Sequence, residues 1–329
     1  MTSFKPRRLF LSSLLVAMGL AVPLAPTWAQ PFPSKPVRIV IGFPPGGGID
    51  IVARTIAPKL SEALGQPVII DNKPGVAGVL GTNLVAKAPA DGHTIFFGTT
   101  GNISINPVFM PNLPFNMDKD FTPLMLVASL PFLVYAHPSV PVKNLTELVA
   151  YAKANPGKIN FYSSGNGGLP HLTGELLNNV AGIQTVHIAY KGSAPGMNDL
   201  IGGQVQLGYD TVAIGLQHIK TGRLRALATT GPKRLAILPD VPSTSEFASG
   251  LEAVNWYGMV VPAGTPRDVI LRLNREITKV LEMPDIKEKL VSQGIDPAAN
   301  SPEEFGEFMK SEAAKWARVI RAANIKPDS

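Results

Sequence analysis

From residue 37 onward, short apolar runs rich in β-branched residues alternate with longer stretches whose apolar residues recur every three or four positions. In the first such stretch Ile49, Val52 and Ile56 fall on one face, as in a helix that packs on a sheet. Alternating strands and helices predict βαβ units on a largely parallel sheet. The predicted elements are strand 37–43, helix 49–64, strand 68–70, helix 79–88 and strand 94–97.

The same alternation begins again near residue 144. Its predicted elements are helix 144–154, strand 159–162, helix 171–180, strand 186–190, helix 195–201 and strand 205–209. The spacing also repeats between the two series. Lys73 follows Phe43 by 30 positions, and Lys191 follows Phe161 by the same 30 positions. We therefore predict an α/β fold of two lobes with similar topology, each a mostly parallel sheet flanked by helices.

Two long apolar segments, 121–136 and 254–261, stand on either side of the second series and are predicted to cross between the lobes. Helices predicted at 267–282 and 302–323 would then return to pack on the first lobe. The first lobe would be discontinuous, with the second lobe inserted into it. The predicted boundaries are 1–29 for a signal peptide, 30–130 plus 256–329 for lobe 1, and 131–255 for lobe 2.

The N-terminus has the pattern of an export signal. Lys5, Arg7 and Arg8 precede an apolar run at 9–24 that carries no charge. The run is shorter than the ~20 residues that span a bilayer, and small residues before Gln30 offer a cleavage site. We predict cleavage near Ala29 and a protein exported to the periplasm; an uncleaved membrane anchor or a buried helix is the alternative.

Composition narrows the possible functions. The 329 residues include no cysteine, which excludes disulfides, a thiolate nucleophile and a lipid-modified cysteine. Removing Lys5, Arg7 and Arg8 with the signal lowers the formal net charge from +6 to +3, which is too mild to indicate nucleic-acid binding. The five histidines lack metal-ligand spacing, so we predict no metal and no cofactor.

The glycine run in Phe43-Pro-Pro-Gly-Gly-Gly-Ile-Asp50 joins the end of a predicted strand to the start of a helix. Glycines allow close backbone approach, and free N–H groups at a helix N-terminus attract anions. The run does not match the phosphate-binding motifs G-x-x-x-x-G-K-[ST] or G-x-G-x-x-G, so a carboxylate is the better fit. Alternatively, the glycines only form a tight turn, and Asp50 only complements the helix dipole.

A matching turn, Ser163-Ser-Gly-Asn-Gly-Gly168, follows a strand of the second series. Open α/β sheets bind ligands at the carboxyl ends of their strands, so the two turns are predicted to face each other across a cleft. Other loops at strand ends lie at 98–102, 190–194 and 209–211. Asp50 and Asp210 either accept hydrogen bonds from an amine or hydroxyl group of the ligand, bind ordered water, or belong to the first turns of helices. His171 either contacts ligand, stabilises the second turn or has only a structural role.

An enzyme would need a nucleophile with a base. Ser163 and Ser164 are the only candidates, and no G-x-S-x-G sequence surrounds them. A serine hydrolase is therefore a remote alternative, and we predict a protein that is not an enzyme.

The chain closely resembles the periplasmic binding proteins of tripartite tricarboxylate transporters, the Bordetella uptake gene (Bug) family. The resemblance rests on the order of segments such as PSKPVRIVIGFPPGGGIDIVART, GKINFYSSGNGG, HIAYKGSAPGMNDLIGGQVQLGYD and VVPAGTP. It implies a two-domain Venus-flytrap fold with a ligand carboxylate held between the lobes. The positions that match the family's ligand site are Phe43, Gly46, Gly47, Asp50, Thr100, Asn102, Ser164, Asn166, Gly192, Ser193, Ala194 and Asp210.

Two departures from the family pattern are expected to neighbour site loops: His93, and the Leu169-Pro170 pair before His171. The expected function is capture of a small organic acid by lobe closure and delivery to integral-membrane transporter subunits, with the binding protein a monomer. A sensor component that presents the ligand to a signalling system is the alternative.

Overall fold

The computed structural model describes residues 32–190 and 192–327. The predicted signal peptide and Lys191 therefore lie outside the described residues. Every predicted element of the two series is present, and no boundary differs from the prediction by more than two residues. None of the described helices is both long enough and apolar enough to cross a membrane.

The described residues form ten strands. They are β1 (Val37–Ile41), β2 (Val68–Asn72), β3 (Thr94–Thr99), β4 (Phe121–Ala136), β5 (Asn160–Ser163), β6 (Val186–Ala189), β7 (Leu207–Thr211), β8 (Arg225–Thr229), β9 (Val254–Pro262) and β10 (Asp296–Pro297). In β1 four of the five residues are fully buried, as expected for a central parallel strand covered on both faces.

Eleven α-helices accompany these strands in the described part of the chain. They are α1 (Gly48–Leu64), α2 (Val79–Ala86), α3 (Asn106–Phe109), α4 (Met117–Asp120), α5 (Leu145–Ala154), α6 (Leu169–Ala181), α7 (Ser193–Ile201), α8 (Val212–Lys220), α9 (Arg267–Glu282), α10 (Pro284–Val291) and α11 (Pro302–Ala322). A π-helical turn, Gly101–Ile105, precedes α3, and short 3₁₀ turns occupy Val76–Gly78 and Thr244–Glu246.

The apolar stripe predicted for the first helix is confirmed. Ile49, Val52, Ile56 and Leu60 of α1 are buried. The helix ends where Gly65 adopts the left-handed conformation, at φ 69°, which glycine tolerates because it lacks a Cβ atom.

The strands form one connected sheet in two differently ordered halves. In the first half β1 lies between β2 and β3 with all three parallel, and β9 pairs antiparallel with β3. In the second half β5 lies between β6 and β7, again in parallel.

The two segments predicted to cross between the lobes are strands β4 and β9. Residues 121–131 of β4 pair with β9 in the first half, and residues 132–136 pair with β7 and β8 in the second half. Strand β4 therefore runs through both halves and connects them by hydrogen bonds. The domain boundaries themselves remain a prediction.

The last helix packs on both halves, whereas the sequence pattern had suggested only the first. Phe305 and Met309 of α11 join a core cluster that includes Trp256 and Phe96. Trp316, Val319 and Ile320 of the same helix join a second cluster built on β5, β7 and α6. A 21-residue helix is about 30 Å long, so one amphipathic face can reach both clusters.

Candidate functional site

A cavity of about 450 Å³ lies where loops at the carboxyl ends of strands from both halves meet. Such strand ends are the usual ligand position in open α/β sheets. Six predicted site residues line it: Phe43, Asn102, Ser164, Asn166, Ser193 and Asp210. A neighbouring cavity of about 560 Å³ shares Asp210 and Thr211 with it and is also lined by Gly48 and Tyr257.

Three helices of the second half begin at the cavity wall. They are α6, α7 and α8, whose first residues or N-caps, Leu169, Ser193 and Thr211, line the cavity. Within the described residues no side chain caps these three N-termini. Helices α5 and α11 elsewhere are capped by Asn144 and Ser301. The free N–H groups and helix dipoles of α6, α7 and α8 make the cavity favourable for an anion.

Among the described residues, the positive potential at the cavity comes from backbone N–H groups rather than from cationic side chains. Over the described ranges, no lysine, arginine or histidine lines either cavity, and Asp210 is the one acidic residue that does. Ile105, Phe109 and Phe132 add an apolar wall beside the polar loops. The site therefore suits a small anion with a partly apolar body.

Asp210 is a buried carboxyl group at the end of β7, 4% exposed. Burial raises the pKa of Asp210, and hydrogen bonds from the Ser193 hydroxyl, the Thr211 N–H and the Tyr162 hydroxyl only partly counteract this. The Thr211 nitrogen lies 2.8 Å from Oδ1, and the Tyr162 oxygen lies 3.2 Å from Oδ2. The pKa shift arises because a buried charge loses hydration.

The first glycine loop (residues 43–48) is organised by Asp50, which is 2% exposed. Its carboxylate accepts from the Gly46 N–H at 2.9 Å, from Asn72 Nδ2 at 3.0 Å and from Arg54 Nε at 2.9 Å. Burial alone would raise the pKa of Asp50, but these hydrogen bonds outweigh it and hold the pKa below its usual value. Asp50, Gly46 and Gly47 are not among the residues that line the 450 Å³ cavity. The contacts favour the helix-end role for Asp50.

We expect Asp50→Ala to lower the free energy of unfolding by about 1–3 kcal/mol, because the Gly46 N–H and the Asn72 amide lose a buried acceptor. Arg54→Ala is the matched control. The Arg54 side chain is 53% exposed, so its loss should cost about 0.5 kcal/mol or less. Urea denaturation of the two variants measures both values, and equal losses would contradict a loop-holding role for Asp50.

Thr100 and Asn102 both follow β3, but only Asn102 lines the cavity. Thr100 is fully buried, and its hydroxyl accepts the Trp256 N–H at 2.9 Å, so it joins the loop to β9. Asn102 lines the cavity while its Nδ2 donates to the Ala77 carbonyl oxygen at 2.7 Å. Asn106 Nδ2 donates to the same oxygen at 3.1 Å, which secures Ala77 in a left-handed conformation at φ 50°.

The other second-half residues are arranged around the second glycine loop (residues 163–168). The Asn166 side chain donates to the Lys326 carbonyl oxygen at 3.0 Å, which brings the C-terminal segment to the loop. His171 is 5% exposed, lies behind the loop and accepts the Gly167 N–H at 3.1 Å. Gly192, at φ 103°, is the N-cap of α7, and neither it nor Ala194 lines the cavity.

Sequence reasoning missed the apolar part of the cavity wall. The Phe109 ring lies so close to Gly167 that an added Cβ atom would approach it to 2.2 Å. This contact joins α3 to the second glycine loop. No motif surrounds Phe109, because its role depends on two segments that meet only in the folded chain.

Ser163 and His187 form a close pair, with Ser163 Oγ 2.6 Å from His187 Nε2. Ser163 is fully buried and does not line the cavity. Its hydroxyl also lies 2.9 Å from the Gly165 carbonyl oxygen, which can only accept. A hydroxyl proton directed at the Gly165 carbonyl oxygen makes His187 Nε2 the donor to Ser163 rather than its base, and the tautomer of His187 decides between the two directions. Across the described ranges, no cluster of three or more His, Cys, Asp or Glu residues could hold a metal ion.

Comparison with known proteins identifies relatives that match over nearly the whole chain. A Pseudomonas sp. (strain P51) protein described as "UPF0065 protein in tcbD-tcbE intergenic region" is 40% identical over 312 residues, or 93% of each chain. The solved structure of the periplasmic binding protein BugD has a TM-score of 0.74 and 34% identity, covering 90% of this chain and 100% of BugD.

Two further solved structures contain organic acids. R. palustris Rpa4515 with adipate matches at a TM-score of 0.78 and 33% identity, over 90% of this chain and 100% of that one. MatC from Rhodopseudomonas palustris with bound malate matches at a TM-score of 0.73 and 29% identity, over 88% of this chain and 100% of that one. BugD and other solved periplasmic binding proteins that match this chain confirm the predicted fold class, which is the α/β, two-domain periplasmic-binding-protein fold.

The family described as "Tripartite tricarboxylate transporter family receptor" matches residues 52–325. Together with relatives more than 30% identical over nearly their full length, this match shows that the chain belongs to the tripartite tricarboxylate transporter receptor family, to which the Bug proteins are related.

Proposed function

We propose that this protein is a receptor that captures a small organic acid in the 450 Å³ cavity and delivers it to a membrane transporter of the tripartite tricarboxylate type. The observation that carries the proposal is the meeting of three uncapped helix N-termini at a cavity that no cationic side chain of the described residues lines. Such a site favours an anion by backbone dipoles and hydrogen bonds.

The expected affinity is compatible with uptake from dilute solution. A hydrogen bond to a charged group contributes about 1.5–3 kcal/mol, and micromolar binding requires about 8 kcal/mol. Four or five backbone and hydroxyl donors therefore suffice after the cost of association is subtracted. Relatives with adipate and malate support a carboxylate ligand for this chain as well.

The loops of both halves contribute to one cavity, so a bound acid contacts the two halves at once. A ligand that binds the closed arrangement better than the open one shifts the equilibrium toward closure. The predicted contacts are those of Phe43, Asn102, Ser164, Asn166, Ser193 and Asp210, with the other matched positions supporting them from behind the wall.

Binding without turnover is part of the proposal. The Ser163–His187 pair lies outside the cavity wall, so it does not support a hydrolase. We further propose that the mature protein is a periplasmic monomer, cleaved near Ala29, whose partners are the transporter's membrane subunits. The periplasmic relatives support this location.

A thermal-shift screen of refolded mature protein tests the proposal. A ligand at 100 times its Kd stabilises the protein by about 2.7 kcal/mol, which raises Tm by several degrees. The panel contains adipate, malate, tricarboxylates, acidic amino acids and aromatic acids, each beside its uncharged amide. We expect at least one acid, and not its amide, to raise Tm.

Ser164→Phe should abolish this shift, because the ring would occupy the cavity that Ser164 lines. Ser139→Phe is the matched control at an exposed serine of the same half and should respond like the wild type. A shift that survives Ser164→Phe, or a shift by amides alone, would contradict the proposed site. Recovery of the acid unchanged after incubation checks the absence of turnover.

A further inference from the structure

The second glycine loop is held in an unusual conformation. Gly165 and Gly167 have φ values of 148° and 68°, which residues other than glycine rarely adopt. The Gly165 N–H donates to Ser163 Oγ at 3.2 Å, and the Gly168 N–H donates to the Gly165 carbonyl oxygen at 3.3 Å. The Gly167 N–H has its acceptor outside the loop, on the His171 ring.

Two stacked histidines lie behind this loop. The rings of His171, from α6, and His187, from β6, are 3.5 Å apart between centroids and 12° from parallel. The Phe161 ring flanks both, at 6.4 Å and 5.2 Å between centroids. Each histidine contacts a different point of the loop, His171 through Gly167 and His187 through Ser163.

The hydrogen bonds assign the ring protons. Because the Gly167 N–H donates to His171 Nδ1, that nitrogen carries no proton, and a neutral His171 ring is protonated at Nε2. Because the Ser163 hydroxyl donates to the Gly165 carbonyl oxygen, His187 Nε2 is also the protonated nitrogen. The His171 ring is then neutral, and a neutral His187 ring carries its proton on Nε2, so the two rings can stack in parallel without repulsion between like charges.

The surroundings of His187 favour its neutral form. Burial lowers the pKa of His187 to about 4. Glu175, on the same helix as His171, has Oε1 3.9 Å from His171 Nε2, and burial raises the pKa of this carboxyl group. Among the described residues, Tyr209 of β7 is a further ionisable group near the pair. Its ring lies 5.4 Å from that of Phe161 between centroids, and burial raises the pKa of its hydroxyl group well above the usual range.

We propose that His171 and His187 are positioning residues: as a stacked pair of Nε2-protonated imidazoles, they hold the second glycine loop in the conformation that forms the cavity wall. The proposal rests on the proposed function, since the held residues, Ser164 to Gly168, line the proposed ligand cavity. Gly167 also packs against Phe109, so a change at the Gly167 N–H would disturb the wall on both sides.

The tautomers can be read directly in the wild-type protein. Long-range ¹H–¹⁵N spectra of the mature protein at pH 7.5 should show His171 and His187 as neutral rings protonated at Nε2. A His171 ring protonated at Nδ1 would overturn the proposal, because Nδ1 could not then accept the Gly167 N–H. This measurement needs neither a ligand nor a variant.

Two substitutions separate positioning from simple packing. In His171→Asn the side-chain oxygen takes the place of Nδ1 and can accept the Gly167 N–H, whereas His171→Leu fills space without an acceptor. We expect hydrogen exchange of the Gly167 amide to be about tenfold faster in His171→Leu, the effect of one lost hydrogen bond, and near wild type in His171→Asn. His137→Leu, at a histidine bonded to Ser139 away from the loop, should leave this exchange unchanged.

Equal exchange in His171→Asn and His171→Leu would overturn the positioning role. Adipate titrations of the same variants add the functional readout: we expect at least about a tenfold loss of affinity in His171→Leu and restoration in His171→Asn. If the wild type does not bind adipate or any other acid of the screen, the proposed function fails. The tautomer and exchange results still decide whether the histidines position the loop.

Discussion

Replacing Asp210 by asparagine should make the binding of an organic acid nearly independent of pH, whereas the wild type should bind more tightly as the pH falls. Burial already raises the pKa of Asp210 in the ligand-free protein. A carboxylate bound in the same cavity would raise it further, since two like charges repel. Binding then takes up a proton, and affinity increases by at most about tenfold per pH unit between the free and bound pKa values.

Isothermal titrations between pH 8 and 5.5 measure this dependence with the acid that gives the largest thermal shift. Asp240→Asn is the control, because Asp240 is an exposed aspartate of the second half and should not change the pH profile. The opposite outcome is also informative. Weaker binding in Asp210→Asn together with an affinity that falls in acid would mean that an ionised Asp210 accepts a hydrogen bond from the ligand.

The largest effect on stability is expected for Glu312→Ala. Glu312 is 7% exposed, and its Oε2 accepts the indole N–H groups of Trp256 and Trp316, each at 3.1 Å. Its other oxygen accepts from Lys315. Alanine would leave two buried indole donors without this acceptor, at about 1–3 kcal/mol each, so we expect the free energy of unfolding to fall by about 2–6 kcal/mol.

The same helix offers a matched control. Glu307 pairs with Lys310 at the spacing that relates Glu312 to Lys315, but its side chain is 76% exposed. Glu307→Ala should therefore cost about 0.5 kcal/mol or less. Glu312→Gln keeps an acceptor oxygen, so its loss in free energy of unfolding should lie between those of Glu312→Ala and Glu307→Ala. Urea denaturation followed by tryptophan fluorescence reports all three, and a loss in Glu312→Ala no larger than in Glu307→Ala would contradict this role.

The position of Glu312 explains why this cluster matters to the receptor. Trp256 belongs to the core cluster of the first half and Trp316 to that of the second. One carboxylate therefore joins the two cores through α11, which packs on β4, the strand that runs through both halves. A change there is expected to act on both halves at once.

The elements of the fold were predictable because their signals are local. Apolar residues at the spacing of a helix or strand report which backbone face is buried, whatever the rest of the chain does. This is why α1, predicted over 49–64, and the strand ends that form the cavity all appear in the sequence pattern. The strand-end rule then pointed to the two glycine loops as parts of one site.

Which site residues line the cavity and which support its wall could be decided only from tertiary contacts. Asp50 bonds to Asn72, Thr100 to Trp256 and Asn166 to Lys326, across separations of 22, 156 and 160 residues. Whether a polar side chain faces the cavity or supports its wall depends on which distant group satisfies it. Sequence spacing carries no record of such partners.

The sequence by itself determined the α/β alternation, the glycine loops at strand ends and the family. Only the tertiary structure decided that α11 joins both cores, that Phe109 packs on Gly167 and that two histidines stack behind the second loop. The physical reason is range: periodicity reflects neighbours a few residues apart, whereas packing and hydrogen-bond satisfaction join residues that only the folded chain brings together.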